Sequence, residues 1–260
     1  MIIQKRTGQY QDYDNNKIKK ALEKAFKSLD QLIKENDLEL IIKDIEQSLY
    51  DQINVEMIQD LVEESLMKHG YLQVAKAYIL YRQKHTEQRK IINELLELLK
   101  DEGLEKLLLT IQDDYPQSEY SLQLLLVKFK SFYKENMDLQ DTLMLLAKAS
   151  NELISKEAPK WEMISARFLS YEINRRVKQK MSRYNIESLY DKIQYLTNQG
   201  YYGTYILEHY SQVEVEKLSD YLDDKRDELF TYSGLELIMK RYLIQDHQRE
   251  ILEKPQEMFM

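Results

Sequence analysis

Six glycines and three prolines are all the strong backbone breakers in a chain of 260 residues, and that scarcity constrains the fold more than any motif does. Glycine and proline are the residues that make turns and end helices, so a chain with so few of them must run in long regular segments. Charged residues make up 32% of it and apolar residues 43%, the mixture of amphipathic helices rather than of a solvating tail. A mainly α chain follows, long enough for one or two domains with buried cores.

Cysteine is absent. That zero removes disulfides, thiolate nucleophiles, zinc ribbons and iron–sulfur clusters together. The four histidines, His69, His85, His209 and His247, lie far apart and form no HExxH pair, so each reads as a surface residue and no metal site is expected. A net charge of −8 repels polyanions and opposes a nucleic-acid partner. Any anion site has to be local. No run approaches the roughly 20 apolar residues of a membrane span, and MIIQKRTGQY lacks the apolar stretch of a secretory signal; the expectation is a cytoplasmic protein off the membrane.

The hydrophobic period then divides the chain. Residues 2–6 and 9–13 read as two short strands about Thr7-Gly8, with Gly8 supplying the positive φ of a tight hairpin. After Asp14, a candidate N-cap, the period becomes helical, with Ile18, Ala21, Leu22, Ala25, Phe26, Leu29 and Ile33 on one stripe. A second stripe joins Leu38, Ile41, Ile42, Ile45 and Leu49, and a third joins Val55, Ile58, Leu61, Val62 and Leu66. Gly70 separates that helix from a fourth carrying Val74, Ala75, Tyr78 and Tyr81. A hairpin and four helices make one unit over 1–90, and the polar stretch 84–94 reads as a hinge to a helical domain over 91–260.

In that second part the pattern gives helices near 119–134, 138–155, 159–181 and 186–198, with Gly103 and Pro116 as breaks and Gly200 closing the last. Ser211 and Glu214 have capping-box spacing. Gly234 to Tyr242 reads as helix, and Leu243–Gln245 with Glu250–Leu252 as a small terminal hairpin. "DLVEESLMKHGYLQVAKAYILYR" has a weak echo in "LLAKASNELISKEAPKWEMISARFLSYE", which either a degenerate repeat or two similar helical hairpins would give.

Little in the chain looks chemical. Lys5 and Arg6 beside the turn could clamp a phosphate, the guanidinium bidentately and the ammonium as a point charge; edge protection of a short strand explains them equally simply. Lys17 shifts the balance, because a lysine in a helix's first turn is slightly unfavourable for the helix and sits where free N–H groups already favour an anion. Tyr10, Tyr13, Tyr78 and Tyr81 could stack on a base, though tyrosines at this spacing more often serve a core or its rim. Asp223, Asp224 and Asp227, beside Lys225 and Arg226, read as a solvated face, and no Walker A loop, GxGxxG or GxSxG occurs.

"KRTGQYQDYDNNKIKKALEKAF", with "VEMIQDLVEESLMKHGYLQVAKAYILYRQKH", resembles the ATP-cone, the allosteric nucleotide-binding domain of many ribonucleotide reductases. "NELISKEAPKWEMISARFLSYE", "RDELFTYSGLELIMKRYLI" and "EKPQEMFM" resemble the helical N-terminal region of the class I large (alpha) subunit, up to the start of its catalytic barrel. The resemblance implies an ATP-cone over 1–90, a short β-hairpin plus four-helix bundle, and a helical domain over 91–260 that stops before the barrel. It implies ATP as activating and dATP as inhibiting effector, with Mg2+. Partners would be the barrel portion of the large subunit, the radical-carrying small (beta) subunit and further copies of the chain. Without cysteines this chain cannot itself reduce a ribonucleotide.

Carried over residue by residue, the resemblance assigns Lys5, Arg6, Lys17 and Lys84 to the phosphates, Asp14 to a polar contact and Ile3 to the base. Thr7 and Gln11 replace the family's usual Asp and frequent Glu, and Val55 and Gln59 stand where some members have Thr and His. Those departures bear on nucleotide selectivity rather than on phosphate binding. The rival expectation is a degenerate cone that serves only as a helical docking module.

Overall fold

The computed structural model describes residues 2–4, 10–50 and 53–260. It divides into two compact units, Met1–Lys90 and Ile91–Met260. The first begins with strands β1 (Ile2–Gln4) and β2 (Tyr10–Asp12), antiparallel with Ile3 opposite Gln11. The expected turn at Thr7-Gly8, with Lys5 and Arg6, lies outside the described residues. A third strand, β3 (Ile53–Asn54), pairs parallel to β1 with Ile3 opposite Ile53, giving the order β2-β1-β3. Two residues are too short to show a period, and a parallel partner some fifty residues along leaves no local signal.

Four helices follow this sheet. In α1 (Asn15–Lys27), Asp14 caps the N-terminus by accepting from the Asn16 amide at 3.0 Å, and Ile18, Leu22, Ala25 and Phe26 are buried. Helix α2 (Glu35–Gln47) buries Leu38, Ile41 and Ile45. Helix α3 (Val55–Lys68) starts at Asn54, whose side chain accepts from the Met57 amide at 2.9 Å, and buries Ile58, Val62 and Leu66. Each buried Ile, Leu, Val or Phe side chain contributes about 1.5–3 kcal/mol. Gly70, at φ 84°, lets the chain reverse after α3 while the amide of Tyr71 donates to the Leu66 carbonyl at 2.9 Å, the closing bond of a left-handed helix stop.

Helix α4 (Leu72–Leu99) runs unbroken through 84–94, where polarity alone suggested a hinge. The stretch is rich in Gln, Lys, Glu and Arg, all good helix formers, and contains no Gly or Pro.

The second unit is helical: α5 (Glu105–Asp114), α6 (Leu122–Phe132), α7 (Leu139–Asn151), α8 (Trp161–Ser182), α9 (Leu189–Asn198), α10 (Tyr205–His209), α11 (Gln212–Ser219), α12 (Tyr232–Arg241) and α13 (Pro255–Met258). Its core gathers Phe129, Leu146, Trp161, Phe168 and Leu235 around α8. The capping box at α11 forms as the spacing predicts, with Ser211 and Glu214 each bonding the other's amide. The terminal hairpin is reduced to one antiparallel bridge, Gln245 to Ile251. In the echo at 138–180, α7 and α8 follow helix α6, whereas α3 and α4 follow α2 and the short strand β3. Among the described residues, no helix is long and apolar enough to cross a membrane.

Candidate functional site

A cavity of about 160 Å3 lies inside the first unit, where the sheet meets the start of α1. Ile3 and Gln11 reach it from paired positions on β1 and β2. Asp14 and Lys17 line it at the beginning of α1, and Val55 and Gln59 in the first turns of α3. The spacing explains the meeting: strand alternation buries Ile3, and positions one turn apart on α3 share a face.

Six residues taken from the sequence as candidates thus border one space. Lys84 is not among the lining residues; it is exposed on α4, six residues or about 1.7 turns beyond Tyr78, which turns it to another face. Lys5 and Arg6 lie outside the described residues.

The walls are more apolar than the candidate set. Ile18 and Ala21 of α1, with Ile58 and Val62 of α3, complete them, and all four were visible only as core positions of their helices. Of the four tyrosines considered, Tyr13 and Tyr78 line the cavity. Tyr10 is 61% exposed, and Tyr81 is half exposed with its ring 4.1 Å from that of His85.

The polar rim is held by weak bonds. Lys17 Nζ donates to Gln11 Oε1 at 3.4 Å, while Tyr13 Oη and Asn15 Nδ2 both donate to Glu46 Oε1, at 3.4 and 3.5 Å. Burial, reinforced by Glu46, pushes the Tyr13 phenol up to about 12, so it stays a neutral donor at any ordinary pH. The Lys17 ammonium sits at the N-terminus of a 13-residue helix, where the Asn16 amide donates to the Asp14 side chain and the Lys17 amide to the Asp14 carbonyl, at the partly positive end of the helix dipole. A cation, a helix N-terminus and an apolar hollow together suit a ligand that is anionic at one end and a flat ring at the other.

One turn beyond Tyr78, Arg82 of α4 holds α3. Its Nη1 donates to Asp60 at 2.6 Å and Glu63 at 2.8 Å, and its Nη2 to Glu56 at 2.9 Å. Burial opposes the charge, but the three carboxylates outweigh it and raise the guanidinium above its ordinary value.

Residues 1–87 match the ATP cone domain family. The chain carries an ATP-cone. Over its full length it is 39% identical to the ribonucleoside-diphosphate reductase subunit alpha of Treponema pallidum, of which it covers 32%. The same subunit of Enterobacteria phage T4 is 33% identical over half of this chain and 17% of its own length. That of Chlamydia pneumoniae is 29% identical over 93% of this chain and 26% of its own length. The chain is therefore homologous to the N-terminal part of ribonucleoside-diphosphate reductase alpha subunits, and it spans about a third or less of the length of these relatives.

Proposed function

We propose that the ATP-cone of this chain binds ATP or dATP in the cavity between the sheet, α1 and α3. It would thereby regulate ribonucleoside-diphosphate reduction, ATP permitting activity and dATP inhibiting it. The observation that carries the reading is that Ile3, Gln11, Asp14, Lys17, Val55 and Gln59 border one cavity at the N-terminus of α1. Its volume of 160 Å3 compares with the about 150 Å3 of an engineered apolar cavity that accepts benzene, enough for a ring. The base would enter between Ile3, Val55 and Ile58, with the Gln11 and Gln59 amides within reach of its edge. The phosphates would face Lys17 and the positive end of the α1 dipole, with Lys5 and Arg6 as further cations.

Among the described residues, no group of three or more His, Asp or Glu could hold a metal by itself. Mg2+ would arrive on the phosphates, as that ion usually does, with one carboxylate such as Asp14 beside it. Regulation further requires that ATP and dATP prefer different assembly states, because a ligand of equal affinity for two states shifts neither. The catalytic barrel, the small subunit and other copies of the chain are the proposed partners in those states, in the cytoplasm.

Calorimetric titration of the chain with ATP and dATP in the presence of Mg2+ tests the binding. Saturable heat with either nucleotide, weakened by Lys5→Ala combined with Arg6→Ala, is the expected result. No heat and no thermal shift with both would leave the cone as a helical docking module.

A further inference from the structure

A groove of about 1080 Å3 opens along α8 in the second unit. Arg167, Ser170, Tyr171, Asn174 and Lys178 line it, a spacing that puts them on one face of the helix. The start of α9, at Ser188 and Leu189, borders the same space and adds the partial positive charge of a ten-residue helix.

The cations of this groove fall into two groups. Arg167 is committed to Asp114 and Glu228 at 2.6 and 2.7 Å, Arg175 to Glu172 at 2.8 Å, and Lys192 to Glu257, while Lys254 is engaged as well. Lys106, Lys178 and Lys225 also line it and make no ion pair with its lining carboxylates Glu187, Glu228 and Glu257. The remaining lining carboxylate, Glu187, does not offset them. A chain of net charge −8 thus keeps a local cationic excess inside a concave surface, the arrangement that concentrates a small anion.

A bare counter-ion leaves two features unused. Leu107, Val177, Met181, Ile186 and Leu222 give the groove apolar stretches. Asn174 Oδ1, shielded from water, accepts no hydrogen bond from any described residue, and an unsatisfied buried acceptor is costly. The carboxamide torsion of asparagine is soft, so a small rotation presents this acceptor to a ligand hydroxyl or amine.

We infer that the α8 groove binds a phosphorylated small molecule, its phosphate held by Lys106, Lys178 and Lys225 and its organic part by a donor bond to Asn174. The groove lies wholly within the second unit, so the inference stands apart from the nucleotide reading of the cone.

The test is an amide NMR titration of the full chain with inorganic triphosphate, with ribose 5-phosphate and with a hexaglutamate peptide. Both phosphates should shift resonances around Asn174, Lys178 and Leu189, and should do so equally in Lys17→Ala, which separates this site from the cone. Reversing charge with Lys178→Glu and Lys225→Glu, both exposed in the native chain, should weaken both phosphates roughly tenfold or more. Asn174→Ala should weaken ribose 5-phosphate and spare triphosphate. The inference is overturned by groove resonances that ignore both phosphates, by shifts indifferent to charge reversal, or by binding of hexaglutamate alone, which would mark an acidic protein partner.

Discussion

Lys17 Nζ donates to Gln11 Oε1 at 3.4 Å, so the first turn of α1 and the middle of β2 meet across the rim of the cone's cavity. The bond is long and solvent-exposed, and it holds the ammonium lightly enough to be exchanged for a phosphate oxygen.

Lys17→Ala should therefore lower nucleotide affinity roughly tenfold or more, the equivalent of one charge-assisted bond. The unliganded chain should melt at an unchanged or slightly higher temperature, because a cation in the first turn opposes the helix dipole. Calorimetry and a thermal melt on the same sample check both halves.

Arg82 gives the second prediction. It joins α4 to three carboxylates of α3 and is 20% exposed. Arg82→Met leaves Glu56, Asp60 and Glu63 facing one another and should cost about 1–3 kcal/mol in the first unit. Arg82→Lys should fail to restore the loss, since an ammonium cannot span the three acceptors as the guanidinium fork does. Amide hydrogen exchange of α3 and α4 reads the effect.

Trp161 is the sole tryptophan of the chain. It is buried at the start of α8, where its indole N–H donates to the Glu119 carbonyl at 2.8 Å. Trp161→Phe keeps a ring but orphans that carbonyl and leaves a void, for about 2–4 kcal/mol in the second unit by urea unfolding. In the native chain its fluorescence should follow unfolding of the second unit.

Asp246 contributes to the acid sensitivity of that unit. Burial alone would raise its carboxyl, yet the Lys180 ammonium and the amides of Glu250 and Gln248 hold it below its ordinary range. A depressed carboxylate stabilises the fold above its unfolded value of about 3.9, and that contribution is lost as pH falls through the folded value. Asp246→Asn should lower stability at neutral pH and flatten the decline in melting temperature below about pH 5.

Local rules made most of the helices legible. Asp14 and the Ser211–Glu214 pair cap where their types and spacing require, and Gly70 takes the positive φ that ends α3. The stripe Ile18, Leu22, Ala25 and Phe26 is the buried face of α1. The two units divide after Lys90, within the polar stretch 84–94, yet α4 runs unbroken through it, because polarity marks exposure whereas helix continuity depends on propensity and on the lack of a breaker. Within the cavity, Ile18, Ala21, Ile58 and Val62 were hidden among core positions, since the periodicity that buries a residue does not say whether it faces a neighbour or a hollow.

The sequence by itself determined the helical class, the N-terminal hairpin, the helix caps and, through a likeness of motif, the ATP-cone. Each of those depends on residues within a few turns of one another, where dihedral preference and hydrophobic period act directly. Only the tertiary structure decided the parallel pairing of Ile53 with Ile3, the meeting of Gln11 and Lys17 with Val55 and Gln59 around one cavity, and the cationic face of α8. Those depend on which faces pack together across long stretches of chain, and packing is settled by the burial of the whole core rather than by local preference.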